Sequence, residues 1–325
     1  MLKPMSLKAR ELDPTRLILD ESGGWAEGAN LYLPYSNKAF KFNDIHNYPG
    51  PNINNNKFDG FLTIGNTDEE NKRRRLNART PGRNVVPNLP SYVSEIGYGS
   101  LPDLEENEKD FISKGNPITY PYLYHINYNK EIKSKLVETG LIKVFKTASN
   151  FYKKQQEIHG IANKRMLEAI RSNPNIIGYC VHALTAGDWI IGAGLLDIWR
   201  NPKGLAYDKT KEANKAKIAV LRTNKRNYFF GESIFISTIL INENKIEKNK
   251  IQLKVLKKSN KKSELIFSDI RSINIKNGIT ELKKINLESN ISPGEYEVQI
   301  SLINDLNEYY TNSINFNVFS ISNYD

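Results

Sequence analysis

The sequence has few of the residues and patterns that mark several large protein classes. Its 325 residues include one cysteine, Cys180, so no disulfide can form within the chain. The four histidines show no His-x3-His spacing, so we expect no metal site of that kind. No GxGxxG segment follows the first apolar strand, which argues against nucleotide binding, and we expect no cofactor.

Long hydrophobic runs are also missing. Hydrophobic residues make up 39% of the chain, but no run approaches the roughly 18–20 residues that span a bilayer, so no membrane partner is expected. The most apolar segment, residues 176–184, predicts a buried strand in which Cys180 is a small buried side chain. Residues 1–16 lack the apolar centre of a signal peptide, which leaves the localisation undetermined.

The charge is basic but dispersed. Lys and Arg number 46 against 36 Asp and Glu, a net charge of +10. A basic balance can indicate a nucleic-acid partner, yet the only dense cluster runs from Lys72 to Arg75 within a polar segment. We interpret this cluster as part of a solvated loop and expect no nucleic-acid partner; an anion-binding patch is the alternative.

The sequence changes character near residue 214. Before it, apolar strand-like runs alternate with helical segments, among them 131–140 and 146–172, and with a long polar loop over 51–88. This alternation predicts a parallel sheet. After residue 214, six or seven short strands separated by turn signals predict an antiparallel, all-β sandwich of immunoglobulin-like type.

Polar and aromatic side chains stand where the predicted strands of the first part end. In a (β/α)8 barrel this end of the strands carries the active site, and in an open doubly wound sheet ligands also bind there. Both architectures therefore predict that these residues share one site: Glu21, His46, Tyr48, Glu95, Tyr98, Asp188 and Trp189.

Glu95 carries the strongest chemical signal. It lies in the segment 93–99, VSEIGYG, at the end of an apolar strand and before a glycine-containing turn. A retaining glycosidase uses such a carboxylate to attack the anomeric carbon, with a second carboxyl group about 5 Å away as acid and then base. The structural alternative is a strand-end glutamate that caps the next helix.

An ordered set of motifs extends this signal. It comprises residues 9–16 (ARELDPTR), 44–49 (DIHNYP), 94–97 (SEIG), 173–179 (NPNIIGY), the pair at 188–189 (DW) and 194–197 (GLLD). In this order they resemble the second half of the catalytic barrel of glycoside hydrolase family 2, the group of β-galactosidases, β-glucuronidases and β-mannosidases. The SEIG segment is similar to the family's strand-seven motif, usually Ser-Glu-Phe/Tyr-Gly.

The resemblance implies a fold and an activity. Residues 1–213 would form strands five to eight of a TIM barrel, residues 214–325 a trailing immunoglobulin-like sandwich, and Glu95 the nucleophile of a retaining β-glycosidase acting on a carbohydrate. The family's first four barrel strands, and the Asn-Glu motif of its acid/base residue, would lie before Met1. We therefore expect a fragment or one half of a split enzyme that needs a complementary N-terminal polypeptide, because a half barrel exposes unpaired strand edges.

The remaining candidates are substrate contacts. His46 and Tyr48 are expected to contact sugar hydroxyls, although His46 could equally be structural. Tyr98 is a candidate hydrogen-bond partner of Glu95 or of the sugar, with packing as the alternative.

Four further candidates belong to loops. Trp189 is a candidate stacking platform for a sugar ring or else a buried loop anchor. Asp188 would bind a hydroxyl or cap a turn, and Glu21 and Trp25 would line the cleft. His182, inside an apolar run, is interpreted as a core histidine rather than a ligand.

Two functions from different classes remain open. The first is hydrolysis of a β-glycoside through a covalent glycosyl–Glu95 intermediate, after assembly with the missing half. The second is a non-catalytic, carbohydrate-binding or structural remnant that lacks the acid/base residue. The sequence does not identify the sugar.

Overall fold

The chain forms two compact units, Met1–Asn214 and Lys215–Asp325, in a computed structural model. The structure describes residues 2–16, 18, 22, 42–81, 85–115, 118–185, 191–245, 247–259, 262–287, 290–304 and 307–320. Over these residues it is a mixed α/β structure with three sheets. Within the ranges just given, no helix is both long and apolar enough to cross a membrane.

The first unit combines one small sheet with eight helices in its described residues. In chain order the elements are α1 (Leu2–Leu12), β1 (Asn43–Asn47), α2 (Asn55–Thr63), α3 (Asp68–Arg74), β2 (Ser91–Ile96), α4 (Leu104–Ser113), α5 (Tyr120–Glu138), α6 (Ile142–Phe145), α7 (Ala148–Arg171), β3 (Ile176–Val181) and α8 (Leu205–Ala213). The three strands are ordered β1-β2-β3 and all pair in parallel, as the alternation of strands and helices predicts.

Apolar side chains on β1 and β2 anchor the sheet. Ile45, Val93 and Ile96 are at most 1% exposed. The helices bring a second set of fully buried residues to this unit, among them Phe58 and Phe61 of α2 and Ala162, Met166 and Ala169 of α7. Along β2, Ser91, Val93 and Ile96 are buried while Tyr92, Ser94 and Glu95 are partly exposed, so the packing of the buried residues sets the direction in which Glu95 points.

The third strand departs from the prediction of a buried strand. Ile177 is 50% exposed, and Cys180 is exposed rather than buried. The reason is topological, because β3 is the end strand of the described sheet and pairs with β2 on one side. The apolar composition of β3 therefore does not result in the burial of Ile177 or Cys180.

The segment predicted as a long loop over 51–88 contains two helices. Helix α2 begins at the N-cap Asn54, whose side chain accepts a hydrogen bond from the Lys57 amide. Helix α3 begins with a capping box, in which Thr67 and Glu70 each accept a hydrogen bond from the other's backbone amide. The basic cluster beginning at Lys72 occupies the last turn of α3, where cations interact favourably with the helix dipole.

Helix boundaries elsewhere follow local signals. Helix α7 begins after Thr147, whose side chain accepts from the Asn150 amide, and ends just before Asn173 and Pro174, as expected from the restriction that proline places on the preceding residue. Helix α5 includes most of the helix predicted at 131–140, but it starts eleven residues earlier, at Tyr120, and ends at Glu138. A Pro at the start of α5 is compatible with its first turn, where the amide needs no intrahelical partner.

The second unit is built from strands in its described residues. In order they are β4 (Lys217–Thr223), β5 (Asn227–Phe229), β6 (Ile234–Asn242), β7 (Glu247–Lys257), β8 (Glu264–Ile275), β9 (Gly278–Glu281), β10 (Ile285–Leu287), β11 (Gly294–Asn304) and β12 (Asn307–Phe319). One sheet is ordered β10-β6-β4 with β9 also on β6, and the other β5-β12-β11-β7-β8. The pairing is antiparallel apart from β5 with β12.

A buried polar contact joins the two sheets of this unit. The Asn312 side chain of β12 is 3% exposed and donates to the Ala219 carbonyl of β4 at 2.8 Å. The buried apolar residues of the five-stranded sheet include Val255, Val298 and Phe316. The two sheets thus share one interior.

Candidate functional site

The register of β1 and β2 brings His46 and Glu95 together. These two residues are partners across the parallel pair. The His46 Nδ1 atom lies 3.0 Å from Glu95 Oε2, and the two side chains are 27% and 28% exposed. Because side chains alternate along an extended chain, Tyr48, two residues after His46, is directed to the same face.

Tyr48 and His182 complete the surroundings of the Glu95 carboxylate. The Tyr48 hydroxyl donates a short hydrogen bond to Glu95 Oε1. The His182 Nε2 atom lies 3.5 Å from the same oxygen. The end of β1 therefore supplies two side chains, and the end of β3 one, to the partly exposed carboxylate that β2 carries.

The Tyr48 phenol is held in its protonated form. Burial raises the pKa of Tyr48 above its usual value, and the hydrogen bond to Glu95 and the Glu95 charge raise it further. A phenol that keeps its proton remains a hydrogen-bond donor to the carboxylate. The Tyr48 ring also meets the His182 ring edge-on, with centroids 6.1 Å apart.

His182 is not the buried core histidine that its apolar neighbours suggest. Its side chain is 39% exposed, and it directly follows β3. Its backbone amide donates to the Ile96 carbonyl at 2.8 Å, which continues the β2–β3 pairing past the strand end. The sequence signal that indicates this role is position, since His182 follows β3 as Tyr48 follows β1.

Two glycines after Glu95 permit close backbone packing. A Cβ atom at Gly97 would stand 2.6 Å from the His182 carbonyl oxygen, and one at Gly99 would stand 2.8 Å from the Gly192 carbonyl oxygen. Separations below 3.0 Å do not occur for real Cβ contacts. The Gly-Tyr-Gly segment is therefore required for β2 and the chain after β3 to approach one another.

Polar side chains of α7 fix the backbone that follows Glu95. The Tyr98 amide donates to Asn163 Oδ1 at 3.0 Å, and Ser100 Oγ lies 2.9 Å from His159 Nδ1. One turn earlier, the Gln156 side chain donates to the Leu101 carbonyl at 3.1 Å. These contacts make a row along one face of α7, which we call the α7 polar row (Gln156, His159 and Asn163).

Tyr98 belongs to this support. Its ring meets the His159 ring edge-on at a centroid distance of 6.1 Å. The contacts that the structure describes for Tyr98 are to α7 and not to Glu95.

Lys203 and His159 are buried ionisable groups behind the same segment. The Lys203 Nζ donates to the carbonyls of Ser100 at 2.5 Å and of Gly192 and Ala193 at 3.3 Å. Burial lowers the pKa of Lys203 to about 7, with the Asp197 charge acting in the opposite direction. Burial, and then the Lys203 charge, lower the pKa of His159 to about 3, so the imidazole is neutral.

Four predicted site residues, Glu21, Trp25, Asp188 and Trp189, lie outside the described residues. Ser22, adjacent to one of them, is described, and its Oγ lies 3.3 Å from His46 Nε2. In the ranges that the structure describes, no group of three or more His, Cys, Asp and Glu side chains is arranged to hold a metal ion.

The Asn-Glu pair at residues 107 and 108 has a structural setting. The buried Asn107 amide lies 3.3 Å from His125 Nδ1, and Glu108 accepts a hydrogen bond from Asn129 at 3.0 Å. These contacts tie α4 to α5. The pair is therefore part of helix packing, not of the Glu95 cluster.

A polar cleft of about 670 Å³ opens elsewhere in the first unit. Among its lining residues are Asp103, Glu106, Lys153 and Asp197. None of the side chains around the Glu95 carboxylate lines this cleft. The chemistry of Glu95 and the cleft are thus separate features.

No family model and no curated protein matches this chain. Among solved structures, a β-D-mannosidase from Dictyoglomus thermophilum is 17% identical with a TM-score of 0.49, over 80% of this chain and 28% of that one. An exo-chitosanase from Amycolatopsis orientalis is 14% identical with a TM-score of 0.49, over 84% and 30%. A β-glucosidase from Listeria innocua is 15% identical with a TM-score of 0.24, over 31% and 16%. These structural neighbours are glycoside hydrolases, and the chain spans less than a third of the length of each.

Proposed function

We propose that this chain is the C-terminal part of a retaining β-glycosidase with Glu95 as its nucleophile. The observation that carries the proposal is the Glu95 carboxylate itself, which is 28% exposed at the end of a parallel strand and is oriented by His46, Tyr48 and His182. A carboxylate held in one orientation and open to solvent suits attack on a sugar carbon.

The reaction proceeds in two displacements. A Glu95 oxygen bonds to the anomeric carbon while the glycosidic bond breaks, and the leaving oxygen takes a proton from a second carboxyl group. Water then displaces Glu95 from the sugar, with that second group acting as base. Tyr48 donates to the carboxylate and so keeps it in one rotamer, while His46 and His182 face the same oxygens.

The architecture proposed for this function is a barrel with a trailing sandwich. Strands β1, β2 and β3 correspond to strands six to eight of a (β/α)8 barrel, and the second unit is an immunoglobulin-like sandwich. Parallel pairing and polar residues at one end of the strands support the barrel. Two sheets with a shared interior support the sandwich.

A complementary N-terminal polypeptide of the same enzyme would supply the second carboxyl group. The exposed apolar edge of β3, with Ile177 half exposed, supports such a partner, since a closed barrel pairs both edges of every strand. In this assembly Asp188, Trp189, Glu21 and Trp25 would line the sugar cleft.

Labelling with a 2-fluoro-glycoside tests the proposal. Such sugars slow the second displacement and trap the ester, so mass spectrometry of the assembled protein should find the sugar on the peptide that contains Glu95. The Glu95→Gln variant should lose both labelling and hydrolysis of chromogenic β-glycosides, whereas Glu108→Gln, in helix α4, should keep both. Turnover that survives in Glu95→Gln would refute the assignment.

The same assay distinguishes the non-catalytic alternative. A carbohydrate-binding remnant would bind a glycoside, measured by calorimetry, and release it unchanged at every concentration of the partner polypeptide. Trapped ester on Glu95 excludes this alternative.

A further inference from the structure

The last strand of the five-stranded sheet is long and uncovered. Within the described residues β8 pairs with β7 on one side and ends the sheet, and it runs for 12 residues. Its exposed residues include Leu265, 54% exposed, Ile266, 39%, and Ile270, 60%. An exposed apolar edge strand presents free backbone donors and acceptors and is a template for pairing with another strand.

The sequence of β8 is complementary to itself about Ile270. When two copies of the strand run antiparallel with Ile270 opposite itself, Asp269 stands opposite Arg271 of the second copy. In the same register Phe267 stands opposite Ile273, and Ser268 opposite Ser272. Directly opposed charges of unlike sign, and opposed apolar pairs, are the contacts that stabilise an antiparallel ladder.

The neighbouring registers lack this match. Centring the pair on Asp269 sets two carboxylates against each other, and centring it on Arg271 sets two guanidinium groups against each other. Centring it on Ser268 leaves both charged residues opposite apolar ones. Like charges directly opposite each other are destabilising. The Asp269 and Arg271 pair therefore favours the register centred on Ile270 and disfavours the registers centred on Asp269 and on Arg271.

Both charged groups are accessible for such pairing. Arg271 Nε lies 2.6 Å from Asp269 Oδ2 within one chain, and their side chains are 51% and 27% exposed. Arginine has five N–H donors, so this contact leaves others for a second carboxylate. Two copies bring two Asp and two Arg side chains together around the axis.

We propose that two copies of this chain associate through β8, antiparallel and about a two-fold axis at Ile270. The two five-stranded sheets then form one continuous ten-stranded sheet. A single pair of edge strands buries less surface than a standard stable interface, so the dimer is in exchange with the monomer. The proposal concerns the second unit and does not depend on the glycosidase assignment.

Cysteine scanning locates the axis. In the full chain carrying Cys180→Ser, the variants Ser268→Cys, Ile270→Cys and Ser272→Cys are oxidised with glutathione disulfide and separated on a non-reducing gel. Only Ile270→Cys should give a covalent dimer, because opposed Cβ atoms lie about 4.5–5.5 Å apart. At Ser268 or Ser272 the two thiols are four residues apart along the strands, about 13 Å, which a disulfide cannot span.

Charge exchange tests the register independently. In sedimentation experiments on the full chain, Asp269→Arg and Arg271→Asp should each weaken self-association by ~10-fold, and the double variant should restore it, because the exchanged pair is again complementary. Ile177→Lys, on the exposed strand of the other unit, should leave the Ile270→Cys crosslink unchanged.

Two results would overturn the proposal. One is crosslinking that is absent at position 270, or as efficient at 268 or 272 as at 270. The other is self-association that all three charge variants leave unchanged while circular dichroism shows them folded.

Discussion

Replacing Lys203 by Met should change how stability depends on pH. Lys203 is 3% exposed, and burial lowers its pKa to about 7 from the ordinary 10.5. Between these two values the unfolded chain binds the proton and the folded chain does not, so the free energy of unfolding rises with pH. The gain from pH 7 to pH 9.5 amounts to roughly 3 kcal/mol, and it should be missing in Lys203→Met.

The test compares how the free energy of unfolding changes with pH, and not its value at one pH. Met also removes the hydrogen bonds that the Lys203 amino group donates to the carbonyls of Ser100, Gly192 and Ala193. The Gly192 carbonyl still accepts from the Ser100 amide, and a buried carbonyl that is left unsatisfied costs about 1–3 kcal/mol at any pH. That cost opposes the stabilisation gained by removing the buried charge. It cancels when each protein is compared with itself at two pH values.

Urea unfolding followed by tryptophan fluorescence provides the measurement. All three tryptophans, Trp25, Trp189 and Trp199, belong to the first unit, so the signal reports the unit that contains Lys203. Lys135→Met, at a side chain 63% exposed, is the matched control and should keep the slope of the parent protein. If the free energy of unfolding has the same pH dependence in the parent protein and in Lys203→Met, the three carbonyls stabilise the ammonium enough to offset its burial. The pKa of Lys203 is then not lowered, and the prediction is refuted.

Three further predictions follow from the site and its support. His159 is neutral with a pKa of about 3, so stability should fall as the pH drops from 6.5 toward 3; His159→Gln should remove about 3 kcal/mol of that loss at pH 4, measured by urea unfolding. Gly97→Ala places a Cβ atom 2.6 Å from the His182 carbonyl oxygen, and this contact should lower the free energy of unfolding by about 1–3 kcal/mol. Gly115→Ala is the control without a contact: open space surrounds Gly115, so only the strain of its positive φ should lower the stability. Thr67→Ala removes the capping box of α3 and should cost about 1 kcal/mol in the same assay, whereas Thr67→Ser should cost little.

The common direction of the strands in a parallel sheet explains why part of the site could be predicted. His46 and Glu95 each stand near the end of a strand that alternates with helices, and such strands run in the same direction with their ends at one edge. That reasoning suffices to expect proximity. It does not give the register, and the opposition of His46 to Glu95 emerges only from the β1–β2 pairing.

His182 and its strand show that the local sequence does not reveal the position of a strand within its sheet. An apolar run is the same whether its strand lies inside a sheet or at its end, so the segment around Cys180 gives no sign that β3 is an end strand. The apolar composition predicts burial, and the position of β3 at the end of the described sheet makes that prediction wrong for Ile177.

Helices α2 and α3 and the contact of Lys203 also differ from the sequence prediction, for two separate reasons. The helix starts at Asn54 and Thr67 carry recognisable caps, and Thr67 with Glu70 fits the capping-box pattern, so these two helices were accessible to prediction from sequence alone. The contact of Lys203 with Ser100 was not, because the two residues are 103 positions apart and nothing local marks the lysine as buried.

The α7 polar row connects helix α7 to the backbone that follows Glu95. Gln156, His159 and Asn163 hold three successive points of the chain just beyond Glu95, so a small slide of the helix along its axis displaces all three in step. A substitution on the opposite side of α7 that repositions the helix should therefore also displace the backbone beside Glu95. In the glycosidase proposed above, such substitutions should change the rate of hydrolysis.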